Sequence, residues 1–494
     1  MKRYFTILLA IGIILGFLSM FVLPNADDWF FLKYLGMSFD KDANTLLGAD
    51  GLYWRPVQEI VFYFLCKIPN TFPFVHHLIV TVFNTAAAFL ISLIVGKFVG
   101  NNRIAFLSAL YFLLCTMSMS NTFSIDSVAQ VFATFCGILA TWVFISSSSK
   151  LRYVAWIMLC FIGSLTKETG LPWFFCVPII LYLYEYRQSG KKLLFERKLI
   201  TSLTINCLIA IFFVILYFGI RLTFFPDSLD FNQIDANQNP NNSYKLTPIV
   251  FIKNILILFV APIVPVDTSA LIYGYDMGVG ILTIILSLLW VLGMSGVVLK
   301  NFHGFDIKQV FIGLILLIII ASPSLVTRAG ELSAYPVIFV LSLLGGICLS
   351  KIHIPVKKGF VLILLFFLTT IITDAHKYYL IYRAGKVGNE MAEEILEKTK
   401  VVPYNVLIIT VDDFSDKKSG AMHVVPGTSY HNGDAVKWLY NFQYPKKSKN
   451  IIFRPSSLTS IESQIDSILK AEDYKTYNCV WINNNKDIKV INVK

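Results

Sequence analysis

A polytopic all-α membrane bundle of about eleven transmembrane helices, followed by a small α/β domain outside the membrane, is the fold class that this chain predicts. Three observations predict it. Of the 494 residues, 56% are hydrophobic, 15% aromatic and only 15% charged, whereas water-soluble domains hold about 45–50% apolar and about 25% charged residues. The apolar residues fall in runs close to the ~20 residues that a helix needs to cross a bilayer. Lys and Arg, which give a formal charge of +11, cluster between those runs, as they do where positive loops stay on the cytoplasmic side. The charge therefore calls for no nucleic acid partner.

The first run, Tyr4 to Leu23, follows Lys2 and Arg3 and is nearly span-length. Pro24-Asn25-Ala26 behind it makes a poor cleavage site, so the run reads as a retained helix with a cytoplasmic N-terminus. Further spans are expected near 74–96, 104–119, 127–147, 151–166, 170–186, 199–220, 278–299, 309–322, 332–350 and 358–374. The run 249–266 carries Pro262 and Pro265, and counting it as a crossing would put Lys300, Lys308 and Arg328 on the wrong sides. It reads as re-entrant or interfacial, a broken element that protein must surround because freed backbone groups are not tolerated against lipid. The inner loops then hold Lys97, Arg103, Lys150, Arg152, Arg187, Lys191, Lys192, Arg197, Lys198, Lys300, Lys308, Lys351, Lys357 and Lys358.

Under this count the loop 24–73 and the turns around Asp126, Lys167 and Arg328 share the outer face. Residues 1–374 form the membrane domain. From Ala375 the apolar runs stop, and Glu393–Lys400 in helical pattern with Val406–Val411 in strand pattern open a soluble extracytoplasmic domain, 375–494. Asn237–Ser243 reads as an exposed loop. Six of the eight cysteines lie inside apolar runs, without paired or CxxC spacing, so neither a disulfide framework nor a cysteine metal site is signalled.

Candidate chemistry begins at Asp27-Asp28-Trp29, directly after the first span. A half-buried carboxylate at the outer membrane face can take a proton from an incoming hydroxyl, and the ordinary alternative is a helix-end charge at headgroup level. Arg55, between Trp54 and the helix-starting Pro56, suits a phosphate through its planar fork of donors, or else serves as an interface anchor. His76, His77 and Asn84 share one face of the second span, where a His can line a polar cavity. Two adjacent histidines without a third ligand are a weak metal signal, and no metal residue is assigned. Asp126, in the turn Ser120–Ser127, is either a second acid of the site or an N-cap. Lys167 and Glu168 stand between two spans with no solvent loop, costly unless the charges pair or bind something charged. Lys167 is the first candidate phosphate contact, its alternative being an ion pair across the bundle. The turn Ser322–Glu331, followed by Tyr335-Pro336, again sets a cation, Arg328, beside an acid, Glu331. No P-loop, HExxH or GxSxG is present.

Taken in order along one face, these positions resemble the glycosyltransferase C superfamily of polytopic enzymes that use polyprenyl-phosphate-linked sugars, and within it the protein mannosyltransferases and the bacterial transferases that decorate lipid A or O-antigen. The resemblance rests on Asp27-Asp28-Trp29, Tyr53–Pro56, His76–Asn84, Lys167-Glu168 and Arg328–Tyr335, and covers most of the membrane region. It implies that Asp27 or Asp28 acts as base, that Asp126 assists, and that Lys167 and Arg328 hold the lipid phosphate, with Arg55, His77, Glu168, Glu331 and Tyr335 around the substrate. The implied reaction moves a single sugar from polyprenyl phosphate to a hydroxyl of a glycan, lipid or protein, with inversion. No cofactor is implied and a divalent metal stays open. The WWD signature of oligosaccharyltransferase catalytic subunits is missing, which disfavours en bloc transfer. An O-antigen polymerase or ligase, or a transporter or flippase of lipid-linked sugars, are the alternatives, though transporter sites lie near mid-bilayer. Frequent Asn, Lys, Ile and Phe fit a bacterium of AT-rich genome, hence a bacterial inner membrane as the expected location and undecaprenyl phosphate as the expected carrier.

Overall fold

The structure is a computed structural model. It describes residues 2–24, 28, 38–41, 43–47, 54–68, 73–189, 197–224, 247–268, 277–301, 306–325, 329–352, 356–399, 405–411, 450–456, 478–482 and 488–491. The chain divides into two compact units, Met1–Ser19 with Met37–Lys377, and Met20–Gly36 with Tyr378–Lys494.

In the first unit the helices are α1 (Lys2–Ser19), α2 (Ala43–Leu46), α3 (Pro56–Cys66), α4 (Phe74–Val99), α5 (Asn102–Leu114), α6 (Thr116–Phe123), α7 (Val128–Ser146), α8 (Leu151–Thr166), α9 (Trp173–Gln188), α10 (Arg197–Phe224), α11 (Pro248–Ile255), α12 (Met277–Lys300), α13 (Ile307–Leu325), α14 (Glu331–Leu349) and the first half of α15 (Val356–Thr399). Among the described residues eight are long and apolar enough to cross a membrane, and the bent pair α5–α6 makes nine. The expected multi-pass membrane bundle is therefore present. Two of the eleven expected crossings, α8 and α9, have 16 residues each. They rise only about 24 Å, short of a ~30 Å hydrocarbon core.

Burial sorts the helices into layers. The apolar windows of α7 and α14 are 72% and 61% buried, whereas those of α10 and α12 are 11% buried. Helices that are apolar on all sides yet bare of protein partners present that surface to lipid, and the buried pair forms the middle of the bundle.

The run expected to be broken is broken. Helix α11 passes into a single π turn, Leu256–Val260, and stops before Pro262. A proline removes a donor and frees carbonyls that need partners away from water. Protein supplies them. The Pro262 carbonyl accepts from the Tyr111 hydroxyl at 3.0 Å and faces Cys115 Sγ at 3.8 Å, and the Pro265 carbonyl accepts from Ser287 and Thr373 at 3.2 and 3.4 Å.

Cross-helix contacts define two ends of the bundle. At one, Tyr186 donates to Asp306, Arg187 to Gln309 and Arg152 to the Ser147 carbonyl, joining the ends of α7, α8, α9 and α13. At the other, Thr169 donates to Gln130, Ser120 to Glu331, and Asn254 binds the Ser324 and Leu325 carbonyls and the Ala329 N–H. These bonds join α6, α7, the α8–α9 turn, α11, α13 and the start of α14.

In the second unit α15 runs on without interruption for 44 residues in all, through the expected domain boundary at 374–375. Its Gly385 lies so close to the chain before Asp28 that an added Cβ would meet the Leu23 carbonyl oxygen at 2.4 Å, and Asn389 donates to the Pro24 carbonyl at 3.0 Å. Four strands follow, β1 (Asn405–Val411), β2 (Asn450–Ser456), β3 (Asn478–Ile482) and β4 (Ile488–Ile491), ordered β2-β1-β3-β4. The β1 pairings are parallel and the β3–β4 pairing is antiparallel.

Candidate active site

Two charged groups occupy the end of the bundle where α14 begins. The first forms around the α8–α9 turn. Helix α3 starts at Pro56, as proline at a first helical position favours, with Arg55 as its N-cap. Trp54 packs its ring on Tyr217 of α10, 5.3 Å between centroids. That contact fixes Arg55, whose Nε and Nη2 reach Glu168 at 3.0 and 2.7 Å. The fork therefore grips a carboxylate of its own chain, and Glu168 finds its cation across the bundle instead of in the neighbouring Lys167. Burial pushes the Glu168 carboxyl up, but Arg55 beside it outweighs burial, with a further contribution from Arg221, and holds it below the usual carboxylate range.

The turn itself is tight for a backbone reason. Lys167 takes an extended conformation and closes α8 by donating its N–H to the Gly163 carbonyl. Gly170 then packs on that same turn, where an added Cβ would come within 2.3–2.5 Å of the Gly163 and Ser164 backbone. Only glycine fits there. Lys167 and Glu168 are thereby held at the rim of the helices with no loop between.

The second group is deeper and joins four elements. Lys377 of α15 has a fully buried ammonium, 2.8 Å from Glu331 at the first residue of α14. The Glu331 carboxylate also accepts from Ser120 of α6 and from Thr268. Lys377 donates to the Thr116 carbonyl at 3.0 Å. That carbonyl lies just past the α5–α6 junction, a 57° bend made by the extended backbone of Cys115. One residue before Lys377, His376 Nδ1 meets Asp267 Oδ2 at 2.5 Å. Asp374, one turn earlier on α15, has both carboxylate oxygens buried and no hydrogen-bond partner among the described residues. Buried polar groups in folded proteins are nearly always hydrogen-bonded, so such a carboxylate marks a place for a hydrogen-bonding partner.

The remaining sequence candidates distribute as follows. Asp126 sits between α6 and α7 at this same end and accepts from the Ser124 hydroxyl at 2.5 Å, while Ser127 occupies the N-cap position of α7. His77 is buried on α4, where Asn84 is held by Thr122 at 3.2 Å and by the Tyr335 hydroxyl. Tyr335 thus ties α14 to α4, and its ring lies 5.1 Å from that of Phe112 on α5. Glu331 pairs with Lys377. Arg328, Asp27 and Trp29 lie outside the described residues. Asp28 is fully buried and belongs to the second unit, whereas the other described candidates belong to the first.

Sequence reasoning passed over Arg221, Asp267, Asp374, His376 and Lys377. A signal was present in Thr373-Asp374-Ala375-His376-Lys377, where three ionisable residues end an apolar run at helical spacing. No protein family, curated protein or solved structure matches the chain.

Proposed function

We propose that the chain is an integral membrane glycosyltransferase that moves a single sugar from a polyprenyl-phosphate donor to a hydroxyl acceptor, with inversion. The observation that supports this reading is the gathering of ionisable side chains from seven separate segments at one end of the bundle. They are Arg55, Asp126, Lys167-Glu168, Arg221, Asp267, Glu331 and the stretch Asp374–Lys377. Charges in membrane helices are costly, and where they collect they mark sites of binding or proton transfer.

The chemistry asks for few parts. A carboxylate removes the acceptor proton as the oxygen attacks the anomeric carbon, and cations offset the charge that develops on the departing phosphate. In a dry site each such contact is strong. Asp27 or Asp28, with Asp126, are the acids that the family resemblance points to, and Asp374 joins them on the strength of its unsatisfied oxygens. Lys167 and Arg221 suit the phosphate, with Arg55 held in place by Glu168. Under the charge distribution of the loops, this end lies on the extracytoplasmic side of a bacterial inner membrane and residues 375–494 form a small α/β domain there.

The test is incubation of the purified full chain with a radiolabelled polyprenyl-phosphate sugar and candidate acceptors. Release of polyprenyl phosphate, reduced by about a hundredfold or more in at least one of Asp28→Asn, Asp126→Asn and Asp374→Asn, is the expected outcome. Transport of the intact donor without its cleavage would replace the transferase reading with a flippase.

A further inference from the structure

At the opposite end of the bundle a cleft of about 900 Å³ opens between α8 and α10, lined by Tyr153, Arg197, Lys198, Ser202, Asn206 and Ile209 among others. None of these belongs to the candidate active site. We infer that this cleft binds the phosphate headgroup and upper acyl chain of an anionic glycerophospholipid.

The chemistry changes along the cleft in the way a phospholipid does. Its mouth holds Arg197 and Lys198 as the first two residues of α10. Two cations at the positive end of a helix macrodipole repel both it and each other, and an anion seated there relieves both repulsions. Glu185 of α9 lies within electrostatic reach of Lys198 and Arg152, so among the described residues at the mouth the cations Arg152, Arg197 and Lys198 outnumber it. Below the mouth come the hydroxyls of Thr201 and Ser202, level with the ester region, and then Ile205 and Ile209. Twelve residues separate Arg197 from Ile209, a rise of about 18 Å, close to half the thickness of a bilayer's hydrocarbon core.

Asn206 points to a ligand independently of charge. It is only 3% exposed, lines the cleft, and makes no side-chain hydrogen bond among the described residues. An amide on a buried residue that lines the cleft, on a helix little covered by protein, calls for a polar partner inside the cleft, which an ester carbonyl of the lipid supplies. Because α10 is so little covered by protein, a lipid reaches the cleft laterally. Basic pockets between transmembrane helices are recurrent sites for anionic headgroups.

This inference stands apart from the proposed transferase activity. Its test is titration of the purified full chain, in neutral detergent and read by native mass spectrometry, with phosphatidylglycerol, with phosphatidylcholine of the same acyl chains, and with polyprenyl phosphate. Phosphatidylglycerol is expected to bind about tenfold tighter than phosphatidylcholine, with the preference lost in the Arg197→Gln/Lys198→Gln double variant. Asn206→Ala is expected to weaken both phospholipids about threefold to fivefold. Both cations are exposed, so the double variant keeps the fold, which circular dichroism checks. Equal binding of the two phospholipids, undiminished phosphatidylglycerol binding by the double variant, or polyprenyl phosphate binding that the double variant weakens as much as it weakens phosphatidylglycerol binding would each overturn the inference.

Discussion

Lys377 and Glu331 give the sharpest energetic expectation. At 2.8 Å the gross attraction is about 6 kcal/mol at an effective dielectric of 20, and desolvation of the two ions subtracts several kcal/mol from it. Removing one partner exposes the asymmetry. In Glu331→Gln the ammonium stays fully buried with its Thr116 carbonyl and without its counter-charge, a loss of about 3–5 kcal/mol. In Lys377→Met the carboxylate keeps the Ser120 and Thr268 hydroxyls and is 19% exposed, so the loss is smaller, about 2–3 kcal/mol. The double variant leaves no stranded charge, and its loss falls short of the sum by about 2 kcal/mol or more. Unfolding by titration with sodium dodecyl sulfate in mixed micelles, followed by tryptophan fluorescence, measures all three. Losses that add to within about 0.5 kcal/mol would show that the two residues do not act as a pair.

Other expectations follow from single contacts. Glu168, held below its ordinary value near 4.5, stabilises the fold fully above that value and loses the contribution as pH falls through its lowered folded-state pKa. Acid unfolding of Glu168→Gln should therefore lose the wild type's extra pH dependence below about 4.5, with a deficit of about 1–2 kcal/mol at neutral pH. Gly170→Ala forces a methyl into the Gly163 backbone and should cost about 3 kcal/mol or prevent folding, read from expression and melting temperature. Asn254→Ala strips three hydrogen bonds from the α13–α14 connection. It should cost about 2–4 kcal/mol in the same micellar titration.

The helices were legible because a bilayer imposes length. Runs such as 74–96 and 332–350 needed no tertiary information, and α4 and α14 extend them by a few residues at most. Pro262 and Pro265 made the broken segment visible for the same reason, since proline chemistry is local. The bend at Cys115 was not legible, because the Thr116 carbonyl just past it is satisfied by Lys377, 261 residues along the chain. The site divides in the same way. Glu168 and Glu331 were found as charges between apolar runs, and Arg55 as a candidate cation, but the pairings were not, because Arg55 lies 113 residues from Glu168 and no spacing rule spans that distance. Asp374 fell at the end of the last expected span and His376 and Lys377 beyond it, whereas α15 carries all three onward in one helix.

The split turn around Pro262 also constrains biogenesis. Its carbonyls are quenched by Tyr111, already synthesised, but those at Pro265 wait for Ser287 and for Thr373. A nascent chain halted before α15 holds these carbonyls by Tyr111 and Ser287 and lacks the Thr373 contact. The element is therefore completed only once α15 has emerged from the ribosome and its Thr373 hydroxyl closes the second bond at Pro265.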